Sequence, residues 1–405
     1  MKITGVEAIQ LNPRLAARNA DKKVRFAGID TQTLYRVTAD NGIVGSCDGR
    51  GHASLPDTLV DRLVDANPFD FIYASLPTGL MGALYDVMGK HLEVPVYKLM
   101  GQKLRERVCV AAWTRPGRTE EIAGEVQRAI DDGYMVFKCH TREAYDVLEW
   151  TRAVEEIAPP GFKMHYDFNG NRSIAAVLAL LKELEESPVV GYIEDPVKKA
   201  DPEGWAQVRG KSNLPLIHHQ PPLGVMQEVL ARTADAYMIE VAVDVTLKMG
   251  FAVGAANLSN VIQLTGGTLC KALALHMGAV LPNMLHSINL DDQLEEDVTG
   301  VRIEVESGSS PVPEAPGLGI EVDEKELARI SQNPETVVPR HISILHVPGG
   351  PPWYSTGEAS AQSLTGMPEG QIRGIDMETR DDDGSDEFAT LYDDLKRTGP
   401  RREER

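Results

Sequence analysis

Asp167, Glu194 and Gln220 end three short apolar runs, HYDFNGN, GYIEDP and LPLIHHQ, at intervals of 27 and 26 residues. That interval is about the length of one strand plus one helix. In a parallel barrel the three side chains would therefore meet on the face where the strands' C-terminal ends open. Two converging carboxylates suit a hard divalent cation such as Mg²⁺, which takes oxygen ligands and keeps water positions that a substrate can enter. Gln220 would add a neutral amide oxygen where a third charge is expected, and so weaken the hold on the cation. His218 and His219 precede it. Strand alternation sends one of them inward, where an imidazole would shift the preference toward Zn²⁺ or Mn²⁺.

The elements that must position these residues follow from the apolar pattern. Residues 1–52 read as strands joined by turns, with Asp40-Asn41-Gly42 as a hairpin signal. Residues 55–105 switch to helical spacing, as in MGALYDVMGKHL. From 107 onward, apolar runs fall at 107–113, 134–139, 162–168, 189–194, 214–218, 236–243, 260–264 and 283–288. Amphipathic stretches such as TEEIAGEVQRAIDDG separate the earlier ones. Eight strands with intervening helices predict an α/β fold, a (β/α)8-type barrel behind an N-terminal α+β domain. An open doubly wound sheet is the other arrangement with this alternation, but GxGxxG is missing after the first strand. The expected domains are a capping domain over 1–105, completed by about 315–345, a barrel over 106–314, and an acidic extended tail over 346–405. One short helical piece is expected in that tail, near FATLYDDLKR.

Bulk properties narrow the function. The chain has 405 residues, 42% hydrophobic, 25% charged, with a net charge of −19. Such an acidic surface disfavours nucleic acid or anionic membrane as partner. The four cysteines, Cys47, Cys109, Cys139 and Cys270, show no CxxC spacing, which speaks against a zinc ribbon or a disulfide framework and fits a reducing, cytoplasmic setting. The start, MKITGVEAIQLNP, lacks a signal pattern, and no apolar run of about 18 residues suggests a membrane span.

Taken together, ALYDVMGKHLEVPVYKLMG (83–101), DFNGN, YIEDP, LALHMGAVLPNM (273–284) and PGLGIEVDEKEL (316–327) resemble the enolase superfamily, in its mandelate racemase/muconate lactonizing branch. The match spans about residues 1–330 and leaves the tail outside. The resemblance implies Mg²⁺-assisted removal of the proton beside a carboxylate. It casts Asp167 and Glu194 as metal ligands, Gln220 in the third ligand's place, and Asn169 as a contact to substrate or to a metal-bound water. Lys138-Cys139-His140 stands where the family has Lys-x-Lys. Lys138 would then support the substrate carboxylate or act as base. His140 would be the base, with an ordinary pKa suited to neutral pH.

Glu240 matches the acid of the family's strand-six and strand-seven Asp–His pair, while Thr265 or Gly266 replaces its histidine. A two-base racemase is therefore disfavoured. His286 falls near the strand-eight glutamate and is a candidate acid or carboxylate contact. The basic loop around Arg14, Arg18, Lys22, Lys23 and Arg25 is a candidate anion contact from the capping domain. The expected activity is a metal-dependent lyase, an acid-sugar dehydratase acting on a small carboxylate. The alternatives are an epimerase or cycloisomerase, and a catalytically silent barrel that binds a small anion or serves in assembly. A homo-oligomer is implied by the resemblance alone.

Overall fold

The computed structural model describes every residue except 21–28, 223, 241, 358–362, 365, 367–368, 371–373 and 403–405. Strands β1 (Ile3–Leu11), β2 (Gln32–Ala39) and β3 (Val44–Arg50) form an antiparallel sheet in that order. The Asp40-Asn41-Gly42 turn joins the last two: Gly42 takes φ +81°, and the Asn41 side chain accepts from the Ile43 N–H at 3.2 Å. The helix Thr78–Leu92 is buried along most of its length against this sheet. Such close packing needs Gly45, where a Cβ would lie 2.2 Å from the Ala83 carbonyl oxygen. The segment after the barrel returns to the same helix. Asp86 accepts from the Leu318 N–H at 2.7 Å, and Val96 N–H donates to Gly317 O at 2.9 Å.

The barrel strands are β4 (Arg107–Thr114), β5 (Val136–His140), β6 (Lys163–Asp167), β7 (Val190–Glu194), β8 (Leu216–His219), β9 (Ala236–Ile239), β10 (Ser259–Gln263) and β11 (Met284–Ile288). All run parallel in chain order, and pairing of β11 with β4 closes the cylinder. A short strand β12 (Ser309–Pro311) lies antiparallel on the outside of β4. Alternation sorts the side chains into two cores. Trp113, Val136, Ile217, Met238, Val261 and Ile288 fill the lumen, while Phe137, Met164, Tyr166, Ile193, Leu216 and Ile262 face the helices. No helix among the described residues is long and apolar enough to cross a membrane.

The segment 346–402 differs from the extended tail expected of it, and residues 341–345, expected to complete the capping domain, join it instead. Strands β13 (His341–His346), β14 (Trp353–Ser355), β15 (Asp376–Asp381) and β16 (Arg401–Arg402) form an antiparallel sheet in the order β15-β13-β14-β16. The helix Asp386–Thr398 covers one face, where Ile342, Ile344, Phe388 and Leu395 form a small core. The alternating apolar residues of HISILHV specify this strand. The neighbouring acidic runs lower the mean hydropathy and mask the signal.

Cap and barrel are joined through Asp48 of β3. Its carboxylate is buried and accepts from the backbone N–H groups of Gly267 and Cys270, at the start of the helix Thr268–Val280. Such an acid meets the positive end of a helix dipole and satisfies otherwise orphaned N–H groups. It also explains the missing strand-seven histidine: a Cβ on Gly266 would lie 2.5 Å from Asp48 Oδ2 and 2.5 Å from Cys270 Cβ. Gly266→Ala should destabilise the protein by about 1–3 kcal/mol through overpacking. Equilibrium urea unfolding checks this, and a variant as stable as the parent would remove the steric account.

Candidate functional site

Register sets the site before any side chain is considered. Across β5, β6 and β7, His140 pairs with Asp167 and Asp167 with Glu194, so these three form one row at the strand ends. Two residues below, Lys138, His165 and Tyr192 form a second row. Period-two alternation points both rows the same way.

Lys138 reaches up between the acids. Its Nζ lies 2.6 Å from Glu194 Oε2 and 3.3 Å from Asp167 Oδ2, and donates to Gln263 Oε1 at 3.0 Å. The side chain is fully buried. Burial alone would lower its pKa, but the charges of Glu194 and Asp167 outweigh this and hold it above the ordinary lysine value. Glu194 responds in kind. Burial opposes its ionisation, yet Lys138, His165 and His219 hold its carboxyl well below the usual range. His165 Nε2 lies 2.8 Å from Glu194 Oε2, and His219 Nδ1 lies 3.2 Å from Oε1. Lys138, His165 and His219 thus converge on the two buried Glu194 oxygens.

The two candidate proton-transfer groups flank this cluster. His140 Nε2 lies 3.4 Å from Asp167 Oδ2, and 30% of its side-chain surface is open. Burial pushes its pKa down to about 4, so at neutral pH the ring is uncharged. His219 behaves oppositely. Burial would lower it, but its bonds to Glu194 and to Glu240 Oε2, the latter at 3.1 Å, raise it to about 9. Glu240 is held below its ordinary value: burial opposes this, and the His219 contact prevails. Arg50 of β3 adds a cap-borne cation 3.6 Å from Glu240 Oε1. Between cap and barrel lies a cavity of about 180 Å³, bordered by Tyr35, Arg50, Thr78, Glu240 and Thr265.

The remaining sequence candidates fall elsewhere. Gln220 is exposed with φ +48°, and its Nε2 donates to the Glu240 carbonyl at 2.9 Å. The left-handed backbone turns it off the strand, so His219 is the β8 side chain beside Glu194. His218 points outward, fully buried and stacked on Trp205 at 4.0 Å between ring centroids. His286 is buried in the lumen, its Nε2 3.0 Å from His165 Nδ1, away from solvent. Asn169, at φ +53°, folds back on Asp167: its N–H donates to Oδ1 at 2.8 Å and its Nδ2 to the Asp167 carbonyl at 3.2 Å. Arg25, Lys22 and Lys23 lie outside the described residues. Arg14 and Arg18 are engaged by Glu296, Glu125 and Asp292.

Sequence reasoning did not single out Arg50, His165, Asp195 or Gln263. Two had a legible signal: His165 is two residues before Asp167 on the same strand face, and Asp195 directly follows Glu194. Arg50 and Gln263 reach the site only through tertiary packing.

Residues 121–326 match the family described as Enolase C-terminal domain-like. The chain is 30% identical over 155 residues to a D-galactonate dehydratase of Verminephrobacter eiseniae, a match covering 36% of this chain and 40% of that protein. It is 27% identical over 408 residues to a D-xylonate dehydratase of Haloferax volcanii, covering 80% of this chain and 92% of that one. In fold it is similar to muconate cycloisomerase from Pseudomonas fluorescens, with a TM-score of 0.67 at 20% identity, covering 82% of this chain and 99% of that structure. With its closed parallel barrel, antiparallel cap and matching residues, the chain belongs to the enolase superfamily, in the mandelate racemase/muconate lactonizing enzyme branch.

Proposed function

We propose that this chain is a Mg²⁺-dependent lyase that dehydrates an acid sugar. The observation that carries the reading is the placement of two histidines on opposite flanks of the carboxylate row, His140 beside Asp167 and His219 beside Glu194, with burial lowering the pKa of the first and the flanking acids raising that of the second. Environments that push two titratable groups apart in this way define a base and an acid. The dehydratase names of the two relatives support the substrate class.

The residues fit a divalent cation. Asp167 and Glu194 stand side by side at the ends of adjacent strands, and Asp195 follows with a ligand oxygen within 4.8 Å of one on Glu194. Burial and the charges of Glu194 and Asp167 push Asp195 up to about 7 despite Lys199 at 3.1 Å, the mark of acids crowded together. Asp167, Glu194 and Asp195 would hold the ion, with oxygen donors of the kind Mg²⁺ prefers. When bound, it would draw negative charge off the substrate carboxylate as the neighbouring carbon loses its proton.

The chain's own groups supply the rest. His140 takes the proton from the carbon beside the carboxylate. The electron pair left behind forms the carbon–carbon double bond as hydroxide departs from the next carbon. His219 gives its proton to that hydroxide, releasing water, and Glu240 stabilises the imidazolium beforehand and orients it. The enol product then tautomerises to a 2-keto-3-deoxy acid. Arg50, on the rim of the 180 Å³ cavity, is placed to pair with a substrate anion.

A catalytically silent, anion-binding barrel is the second reading. It is favoured by one observation: Lys138 already bridges both carboxylates from a fully buried position. Incubation with aldonic acids in D₂O separates the readings. The lyase yields a 2-keto-3-deoxy acid carrying deuterium, an epimerase washes deuterium in without loss of material, and a silent barrel does neither.

The pH profile follows from the two histidines. The base works above its pKa and the acid below its own, so with Mg²⁺ kept saturating at every pH kcat/KM should be level between about 4 and 9 and fall on either side. A single limb near 6.5 would contradict the assignment. His140→Gln should lower kcat by about 10²–10⁴-fold with KM little changed, and steady-state kinetics on the same substrate would read it. Because a ligand carboxyl must lose its proton, Mg²⁺ affinity by calorimetry should rise about tenfold per pH unit up to pH 7 and then flatten. An affinity independent of pH would remove Asp195 from the ligand set.

A further inference from the structure

The C-terminal unit, residues 341–402, lies beyond residues 121–326 that match the family. Among the described residues it meets the barrel at two loops. One follows β5, directly after Lys138 and His140. The other follows β6, directly after Asp167.

Both attachments are specific. Glu369 is fully buried, its N–H donates to the Asn171 carbonyl at 2.9 Å, and its Oε1 accepts from Asn171 Nδ2 at 3.4 Å. The next N–H, of Gly370, donates to Glu143 Oε2 at 3.0 Å. On the other side of the contact, Ala144 packs into the apolar cluster of Leu345, Val347, Ile375 and Met377. So the unit grips the β5 loop at Glu143 and Ala144, and the β6 loop at Asn171.

The grip continues inward. Arg172 is buried over the Phe168 ring at 4.3 Å, and its Nη1 donates to Thr141 Oγ1 at 3.3 Å. Burial holds its pKa below the ordinary arginine value, and the charges of Glu369 and Glu143 offset only part of this. Thr141 in turn donates to the Asp167 carbonyl twice, from its N–H at 2.8 Å and from its hydroxyl at 3.2 Å. The backbone of Glu369 bridges that of Arg172, so a continuous run of contacts leads from Glu369, through Arg172 and Thr141, to the backbone of Asp167. Burying Glu369 against these loops without its backbone and Asn171 partners would leave a carboxylate and an N–H unsatisfied, which makes the docked position specific.

We propose that the C-terminal unit is a clamp on the His140–Asp167 side of the site, with Glu369 as the positioning residue that couples it to the two loops. The proposal rests on the assignment of His140 and Asp167 to the site. It predicts that loosening Glu369 frees these loops and misplaces the base without touching substrate.

The test compares full-length protein with Glu369→Ala, Glu369→Gln and Ala144→Asp. Amide hydrogen exchange is followed in the segments 139–147 and 166–175, in the 341–355 strands, and in β8–β10 as reference. Glu369→Ala and Ala144→Asp should each speed exchange in the two loops by about tenfold or more, leaving β8–β10 unchanged. Glu369→Gln keeps an acceptor for Asn171 and should recover most of the protection. In turnover, kcat should fall by about tenfold for Glu369→Ala with KM within about twofold, and recover in Glu369→Gln.

Loops that exchange at the parent rate in both disrupting variants overturn the proposal, whether or not the 341–355 strands stay protected. Exchange is read without turnover. Failure of the lyase reading would therefore show as absent product in every protein, the parent included, with the loop result standing on its own.

Discussion

Glu194 is fully buried yet ionised, and it persists only because Lys138, His165 and His219 crowd its two oxygens. An isolated carboxylate at that depth would take up a proton rather than bear the desolvation cost. The rest of the barrel mouth follows from this requirement. Lys138 approaches one oxygen from the row below and ties Glu194 to Asp167. His219 approaches the other oxygen and ties it to Glu240 and so, through Arg50, to the cap. With positive charge drawn to the Glu194–Glu240 side, His219 holds its proton, while His140, on the opposite flank and burdened mainly by burial, stays uncharged.

The cap is held by an interaction of the same kind. Asp48 near the end of β3 meets the start of the helix Thr268–Val280 and takes the space that a side chain at 266 would need. This joint carries Arg50 and Tyr35 of the cap to the edge of the cavity beside Glu240. The lost strand-seven histidine and the docked cap are thus one structural fact. In the proposed reaction, proton delivery on that flank falls to His219 from β8.

Much of the architecture was legible because strands buried on both faces must be apolar and evenly spaced. All eight expected barrel strands are present, within a few residues at each end. The carboxylate row was legible too, since Asp167 and Glu194 end strands at a fixed interval. Gln220 and His219 were not separable in sequence. One positive φ at the strand end decides which of two adjacent residues faces Glu194, and no pattern announces it. The C-terminal sheet escaped notice because its core is small and shared with a barrel loop through Ala144, so its strands look too polar to fold alone.

Histidine protonation is the most direct test of this account. Side-chain nitrogen NMR on the protein at pH 7, assigned with His140→Gln and His219→Gln, should show one neutral ring at 140 and one doubly protonated ring at 219. Two neutral rings, or a proton on His140 rather than His219, would contradict the arrangement around Glu194 and with it the acid–base pair.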